Sequence, residues 1–231
     1  MLYAIGHPLL FLGLALGFVM ASTAHAASQA FVATRMGDRR PRADARLSLD
    51  PRRQLDPFGC LAAALAGPGW ARPVEVGTGY FRGAGRRVLA GLAVGPVVSG
   101  ALGVGLLLAG RAVGLSTPLG LSGFTDLSDL LHGRVVADNQ LAGMLVAGGT
   151  AALAVALISL VPLPPLDAGR ALFALAPRSS WQRARHWLIE QNVGLVAVLA
   201  LLIIPISGEG PLLLVLLDTV ARPILHALGP L

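Results

Sequence analysis

The chain carries little charge, and this restricts the classes of protein to which it can belong. Charged residues make up 13% of its 231 residues, whereas 55% are hydrophobic, and the mean hydropathy is +0.71. Soluble domains carry about 25% charged residues, so a soluble domain is excluded. Lysine is absent, and all 18 basic residues are arginine. Cys60 is the only cysteine, which excludes an intrachain disulfide and a cysteine-based metal site.

The first apolar segment lacks the positive charge that a secretory signal normally has. No Lys or Arg occurs in residues 1–20, although Ala24-His25-Ala26 resembles a small-residue cleavage site. Secretory signals normally begin with a positively charged region. We therefore interpret residues 1–34 as an uncleaved first transmembrane helix, with cleavage after the small residues as the alternative.

Long uncharged runs predict an all-α polytopic membrane protein. The runs from Val88 to Gly110 and from Leu141 to Val161 contain no charged residue, and about 20 apolar residues cross the hydrocarbon core as a helix. The apolar region 191–228 is interrupted near Glu209, which predicts a helical hairpin. Residues 58–67 are apolar but too short to span, which favours a re-entrant segment. The pattern predicts about five transmembrane helices in one membrane domain.

The distribution of arginine predicts how the chain crosses the membrane. Arginines concentrate in residues 35–53 and 170–185, whereas residues 111–138 carry three aspartates. By the positive-inside rule the two Arg-rich segments are cytoplasmic and the amino terminus is external, in a bacterial inner membrane. The predicted segments are the first helix 1–34, an Arg-rich loop 35–87 with the re-entrant segment, helix 88–110, external loop 111–138, helix 139–165, basic loop 166–190 and hairpin 191–228.

The partners that this composition predicts are lipids and other membrane proteins. A strong arginine excess also occurs in nucleic-acid-binding proteins, but in a chain this apolar, orientation and contact with anionic lipid headgroups explain it better. No nucleic-acid partner is therefore predicted. Glycines are frequent in helices 88–110 and 139–165, and small residues let membrane helices approach closely. Packing within the protein is the first explanation, and docking of other integral membrane proteins is the alternative.

Polar residues at the end of the first apolar segment have the spacing of a helical metal site. His25 and Gln29 are four residues apart and share a helix face. Two histidines at this spacing can hold zinc, with an intervening Glu as general base. Here Gln29 is a weak neutral ligand, and Ala26 stands at the base position and cannot accept a proton. Asp167, which follows Pro164-Pro165, is a further candidate ligand.

These candidates do not complete a catalytic zinc site. His25 and Asp167 are two good ligands, and catalytic zinc sites use three from the protein. We therefore expect no cofactor, with residual zinc on His25 and Asp167 as the alternative. His25 and Gln29 would then hydrogen-bond each other or neighbouring backbone. An Asp at membrane depth is a functional candidate by default, but a salt bridge from Asp167 to Arg170 is the simpler interpretation.

Further motifs follow in order along nearly the whole chain. They are Gly37-Asp38, Leu49-Asp50-Pro51, Gln54-Leu55-Asp56-Pro57, Gly69-Trp70-Ala71-Arg72-Pro73, Gly95-Pro96 and the run from Ser159 to Asp167. Together with the segment from His25 to Ala30, this series resembles the site-2 protease family, the intramembrane zinc metalloproteases. The resemblance implies their helical membrane fold and a zinc site at the matching positions.

The departures from the family pattern fall on the residues that do its chemistry. The resemblance implies a general base at Ala26, zinc ligands at His25, Gln29 and Asp167, a histidine at Gln54, and asparagines at Ser99 and Ser159. Five of these positions carry other residues, while the glycines and prolines of the motifs are kept. We therefore predict a degenerate site without catalytic residues, in a pseudoenzyme that acts as a scaffold, assembly factor or accessory subunit. The alternative is an active intramembrane zinc metalloprotease with a non-standard ligand set.

Overall fold

Three long apolar helices form the centre of the molecule. A computed structural model describes residues 1–74, 85–114, 126–132, 139–175, 178–207 and 210–228. The long helices are α1 (Pro8–Arg35), α5 (Gly85–Gly114) and α7 (Gln140–Ser159). The shorter helices are α2 (Arg40–Ala43), α3 (Pro51–Gln54), α4 (Pro57–Ala66), α6 (Leu127–Leu131), α8 (Asp167–Leu175), α9 (Arg178–Arg185), α10 (Val193–Ile203) and α11 (Leu212–Ala227). Between α10 and α11, strands β1 (Pro205–Ser207) and β2 (Gly210–Pro211) pair antiparallel.

The prediction of a helical, polytopic membrane protein is confirmed in its coarser form. By length and composition, α1, α5 and α7 can each cross a membrane, and the pair Trp181–Glu190 and Val193–Ile203, bent by 66°, raises the number to four if it forms one span. The exact count of five stays a prediction. Residues 115–125 and 133–138 of the predicted external loop, and residues 208–209 of the predicted hairpin turn, lie outside the described residues.

Helix α7 is shorter than the predicted helix 139–165. It begins after Asn139, whose side-chain oxygen caps it by accepting from the backbone N–H of Leu141 at 3.0 Å. It ends at Ser159 because prolines follow at positions 162, 164 and 165 and cannot donate the backbone hydrogen bonds of a helix. The chain continues in turns, and α8 begins at Asp167. The proline-rich turn therefore brings Asp167 back toward the helix bundle.

Glycines allow α1 and α5 to pack closely against the two sides of α7. A Cβ atom at Gly17 would lie 2.2 Å from the carbonyl oxygen of Gly148, and one at Gly103 would lie 2.8 Å from the backbone nitrogen of Leu153. Such contacts leave no room for a side chain. In the part of the chain that the structure describes, these glycines pack within the protein, which is the first of the two explanations given above. Of the three helices, α7 is accordingly the most enclosed, because 83% of its apolar 18-residue stretch is buried.

The predicted re-entrant segment is helix α4, followed by an extended strap across α1. Asp56 caps α4 by accepting from the N–H of Gly59 at 2.8 Å, and the helix ends before Gly67, whose φ of +102° suits glycine. We call residues 70–74 the strap. It pairs with α3 through the hydrogen bond from the N–H of Arg72 to the carbonyl of Gln54, at 2.8 Å. Its Ala71 and Val74 side chains are buried against α1.

Two side chains of α11, Asp218 and Arg222, fasten this helix to α6 and to the residue that precedes α6. The Oδ1 and Oδ2 oxygens of Asp218 accept from the backbone N–H and the hydroxyl of Ser128, at 2.8 and 2.7 Å. Arg222 pairs with Asp126 at 2.6 Å. These contacts hold the carboxyl-terminal hairpin against the rest of the bundle.

Candidate functional site

Three helices place four polar side chains in one buried cluster. His25 and Gln29 lie one turn apart on α1, Ser99 lies on α5, and Asp167 begins α8. Each is less than a tenth exposed. The three helical segments are far apart in sequence, and the structure brings together four of the seven predicted site positions.

The shortest contact in this cluster joins His25 to Asp167. The Nε2 nitrogen of His25 lies 2.6 Å from the Oδ2 oxygen of Asp167. Because a carboxylate only accepts hydrogen bonds, Nε2 is assigned as the donor. His25 and Asp167 are therefore hydrogen-bond donor and acceptor to each other.

Ser99 completes the hydrogen bonding of the imidazole. Its Oγ atom lies 3.1 Å from Nδ1 of His25 and 3.0 Å from the carbonyl oxygen of Gly95. A hydroxyl has a single proton to donate but two lone pairs, so Ser99 can donate to one of these atoms while it contacts the other. Both ring nitrogens of His25 consequently face a fixed polar partner.

The amide of Gln29 uses both of its N–H groups in this cluster. Its Nε2 nitrogen lies 2.8 Å from Oδ2 of Asp167 and 3.1 Å from the backbone carbonyl oxygen of Leu92. Both of these atoms are acceptors, so the amide nitrogen, not the amide oxygen, faces them. The 3.3 Å contact with Nε2 of His25 is then an approach between neighbours, because no third amide proton exists.

Because of Pro96, the backbone carbonyl of Leu92 lacks its helical hydrogen-bond donor, and Gln29 supplies one. In an α-helix the carbonyl of residue 92 would accept from the N–H of residue 96, and proline has no N–H. The break lies in the interior of α5, where an unsatisfied carbonyl costs free energy. Gln29 donates to that carbonyl from the neighbouring helix. Gln29, which stands where the resemblance implies a zinc ligand, therefore has a structural role between α1 and α5.

Ala26, which stands where the resemblance implies a general base, is buried under the strap. Ala26 is fully buried, and its methyl group packs with Ala30 of α1 and with Ala71 and Val74 of the strap. General base catalysis needs a group that accepts a proton within hydrogen-bond reach of the reacting water. A methyl group against an apolar strap supplies none.

Two predicted site residues lie apart from the cluster. Gln54 on α3 donates to the backbone carbonyls of Arg46 and Ser48, at 2.8 and 2.6 Å. Ser159 donates to the carbonyl of Ala156 in its own helix at 2.6 Å. Their contacts order the loop after α2 and the end of α7, respectively.

Gly95 is a residue of the cluster that the sequence did not assign to it. A Cβ atom at this position would lie 2.5 Å from Nε2 of His25 and 2.7 Å from Nε2 of Gln29. The backbone of α5 therefore covers the pair directly. Its place in the Gly95-Pro96 motif was the available signal, but only the structure shows what lies opposite it.

Arg170 connects the cluster to the strap. Its Nη1 nitrogen lies 3.9 Å from Oδ1 of Asp167, which is the predicted ion pair at the outer limit of that interaction. Its Nη2 nitrogen donates to the carbonyl of Val74 at 2.5 Å. Asp167 thus has His25 and Gln29 as close partners and Arg170 as a more distant one.

The side chains of the buried cluster do not fit the zinc ion that the resemblance implies. Among the residues that the structure describes, no group of three or more His, Cys, Asp or Glu side chains is placed to hold a metal ion. The cluster offers one imidazole and one carboxylate, which are bonded to each other, and an amide that points its N–H groups inward. Catalytic zinc sites use three protein ligands and leave a fourth position open. The hydrogen bonds of the cluster instead join α1, α5 and α8 to one another.

Comparison with known proteins gives the family. A protein of Bacillus subtilis (strain 168), named "Putative zinc metalloprotease YwhC", is 32% identical over 201 residues, which are 84% of this chain and 82% of the relative. No family model matches the chain, and no solved structure matches it at a significant level. With its ordered motifs and apolar helices, the chain belongs to the same site-2-protease-like family as YwhC.

Proposed function

We propose that this protein is a catalytically inactive member of its family, which serves in the membrane as a scaffold, assembly factor or accessory subunit for other transmembrane proteins. The observation that carries the proposal is the amide of Gln29, which stands where the resemblance implies a zinc ligand and donates its two N–H groups to Asp167 and to the backbone carbonyl of Leu92. It leaves two strong candidate ligands in the cluster, His25 and Asp167. Proteolysis through a metal-bound water would need a third ligand, as well as a base where Ala26 stands.

The outer face of α5 supports a role in binding another transmembrane helix. In the middle of the helix the exposed residues recur every four positions and are mostly small: Ala93, Val97, Ala101 and Gly105. No atom lies within 4 Å of a Cβ built at Gly105. Small residues at this spacing let a second helix approach the backbone closely. The partner that fits this face is a helix that carries small residues of its own.

Crosslinking in native membranes tests the scaffold role. A photoreactive residue at Val97 should give a discrete product with one transmembrane protein, and the product should disappear in the double variant Ala101→Leu, Gly105→Leu. Met20, an exposed residue of α1, is the matched control position and should give no such product. Equal crosslinking from both positions, or a product that survives the leucines, would count against a specific helix partner.

The alternative, an active protease with a non-standard ligand set, is tested by metal content. The purified wild-type protein is expected to contain no stoichiometric zinc. Zinc that is present in the wild type and lost in Asp167→Ala, together with cleavage of a membrane substrate, would establish the alternative. The name of the relative, "Putative zinc metalloprotease YwhC", favours this second function.

A further inference from the structure

An arginine-lined cavity lies beside the strap, away from the buried cluster. It has a volume of about 490 Å³, and the side chains around it include Arg46, Arg52, Arg53, Arg72 and the carboxylate of Asp44. They come from the loop after α2, from α3 and from the strap. Four guanidinium groups against one carboxylate give the cavity a strong positive charge.

Arg46 is the fixed element of this cavity. It is 8% exposed, and its guanidinium donates to the carbonyl of Arg72 at 2.7 Å and to the carbonyl of Arg53. One side chain therefore ties the loop to α3 and to the strap. A guanidinium has five N–H donors in a planar fork, so these two bonds leave others for a ligand.

Among the described residues, Asp44 is the only carboxylate that lines the cavity, against four guanidinium groups. Within the described ranges, no ion pair joins Arg46, Arg52 or Arg72 to a carboxylate, and Arg53 pairs at 3.6 Å with the exposed Asp50. Burial lowers the pKa of the Arg46 guanidinium, the nearby charges of Arg72 and Arg170 lower it further, and only Asp44 raises it. Buried charges are normally paired. An anion in the cavity would supply the missing negative charge.

The geometry points to a binding site for a phosphate group, held by Arg46, Arg52 and Arg72, on the predicted cytoplasmic side of the membrane. Arginine suits phosphate because its planar fork donates two parallel hydrogen bonds to phosphate oxygens. The phosphate belongs either to an anionic lipid headgroup or to a small soluble molecule. Leu47 and Leu49 of the same loop are exposed hydrophobic residues, as contact with lipid chains would require.

A bound phosphate would also steady the region over α1. Arg46 and Arg72 connect the cavity to the strap, and the strap covers Ala26 and is held from its other end by Arg170. An anion that bridges α3 and the strap would therefore oppose separation of the strap from α1. The expected signature is an increase in thermal stability with ligand concentration.

Thermal unfolding of the full chain in neutral detergent tests this site. Phosphatidylglycerol, phosphatidylcholine and inorganic phosphate are compared at constant ionic strength. Phosphatidylglycerol is expected to raise the unfolding temperature, and the double variant Arg52→Gln, Arg72→Gln should weaken the apparent affinity by about tenfold or more, as for lost hydrogen bonds to charged groups. Both side chains are exposed, so this variant leaves the Arg46 anchor intact.

The matched control is Arg183→Gln, Arg185→Gln, which removes the same charge from exposed positions in the other basic loop. Stabilisation by phosphatidylglycerol alone, lost only in the first double variant, supports the site and assigns it to a lipid. Equal stabilisation by inorganic phosphate, with the same dependence on the variants, supports the site and assigns it to a soluble phosphate. An equal loss in both double variants, or no stabilisation by either phosphate source, overturns the proposal.

Discussion

The Nε2 nitrogen of His25 lies 2.6 Å from the Oδ2 oxygen of Asp167, although 142 positions separate these residues in sequence. The contact joins α1 to α8 inside the bundle. An exposed pair of similar chemistry, His186 and Glu190, has the same 2.6 Å separation. The two contacts differ in burial, and burial decides how much each contributes to stability.

We predict that Asp167→Ala lowers the free energy of unfolding by about 3 kcal/mol or more, as for removal of one partner of a buried pair. The imidazole of His25 and the amide of Gln29 would lose their shared acceptor in a site closed to water. Glu190→Ala should cost at most about 1 kcal/mol because that pair is exposed. Thermal and denaturant unfolding in detergent measure both variants, and a similar loss for the two would contradict a structural role for the buried cluster.

The conservative variant Asp167→Asn separates hydrogen bonding from charge. Its amide oxygen can still accept from His25, so we expect a smaller loss, about 1 kcal/mol. If Asn were as damaging as Ala, charge and not hydrogen bonding would hold the cluster together.

A second prediction concerns two glycines on the same helix. Gly95→Ala should destabilise the protein by about 1–3 kcal/mol, as overpacking does, because the new Cβ would lie 2.5 Å from Nε2 of His25. Gly105→Ala should be neutral or stabilising, since its Cβ meets nothing within 4 Å and alanine favours a helix by up to about 1 kcal/mol. Equal unfolding temperatures for the two variants would show that α5 does not cover the cluster closely.

The membership of the cluster could be predicted only in part. His25, Gln29 and Asp167 stand at motif positions of the family, and the structure places them in contact. Gln54 and Ser159 stand at such positions too, but they bond to nearby backbone carbonyls. A motif gives an order along the chain and does not show which polar atoms have a closer local acceptor.

The contacts between helices could not be predicted, because they depend on how α1 and α5 are aligned. Sequence shows that Pro96 leaves a carbonyl without its helical partner, but not that Gln29 lies opposite it. Nor does sequence show which of the arginines in residues 35–53 is buried, since Arg46 is distinguished by the carbonyls around it. The uncharged runs did predict the long helices, because hydrophobicity and length alone decide which segments can span a membrane.

A third prediction concerns the attachment of the carboxyl-terminal hairpin. Asp218→Ala should cost about 1–3 kcal/mol, the cost of leaving half-buried donors without acceptors, because Asp218 accepts two hydrogen bonds from Ser128. Thr219→Ala is the control, since this exposed hydroxyl bonds only within α11 in the described contacts. Protease digestion should then release fragments from the hairpin sooner in the Asp218 variant. Unchanged digestion would mean that apolar packing alone holds α11 in place.

The last prediction rebuilds the zinc site in two steps. Gln29→His alone should allow zinc to bind, because an imidazole there would join His25 and Asp167 to give three ligands. Gln29 already lies within 3.3 Å of His25 and 2.8 Å of Asp167. The measurement is zinc content of the purified protein, and Gln29→Asn, whose side chain is too short to replace it, is the control.

Adding Ala26→Glu to that variant should then permit hydrolysis of a membrane substrate, since a general base contributes about 10²–10⁴-fold. Ala26 is packed against the strap, so the glutamate must displace Ala71 or Val74, and the unfolding temperature has to be recorded beside the activity. The first step carries the decisive result, because it leaves that packing intact. If Gln29→His folds normally but binds no zinc, the scaffold differs from a metalloprotease by more than its replaced ligands.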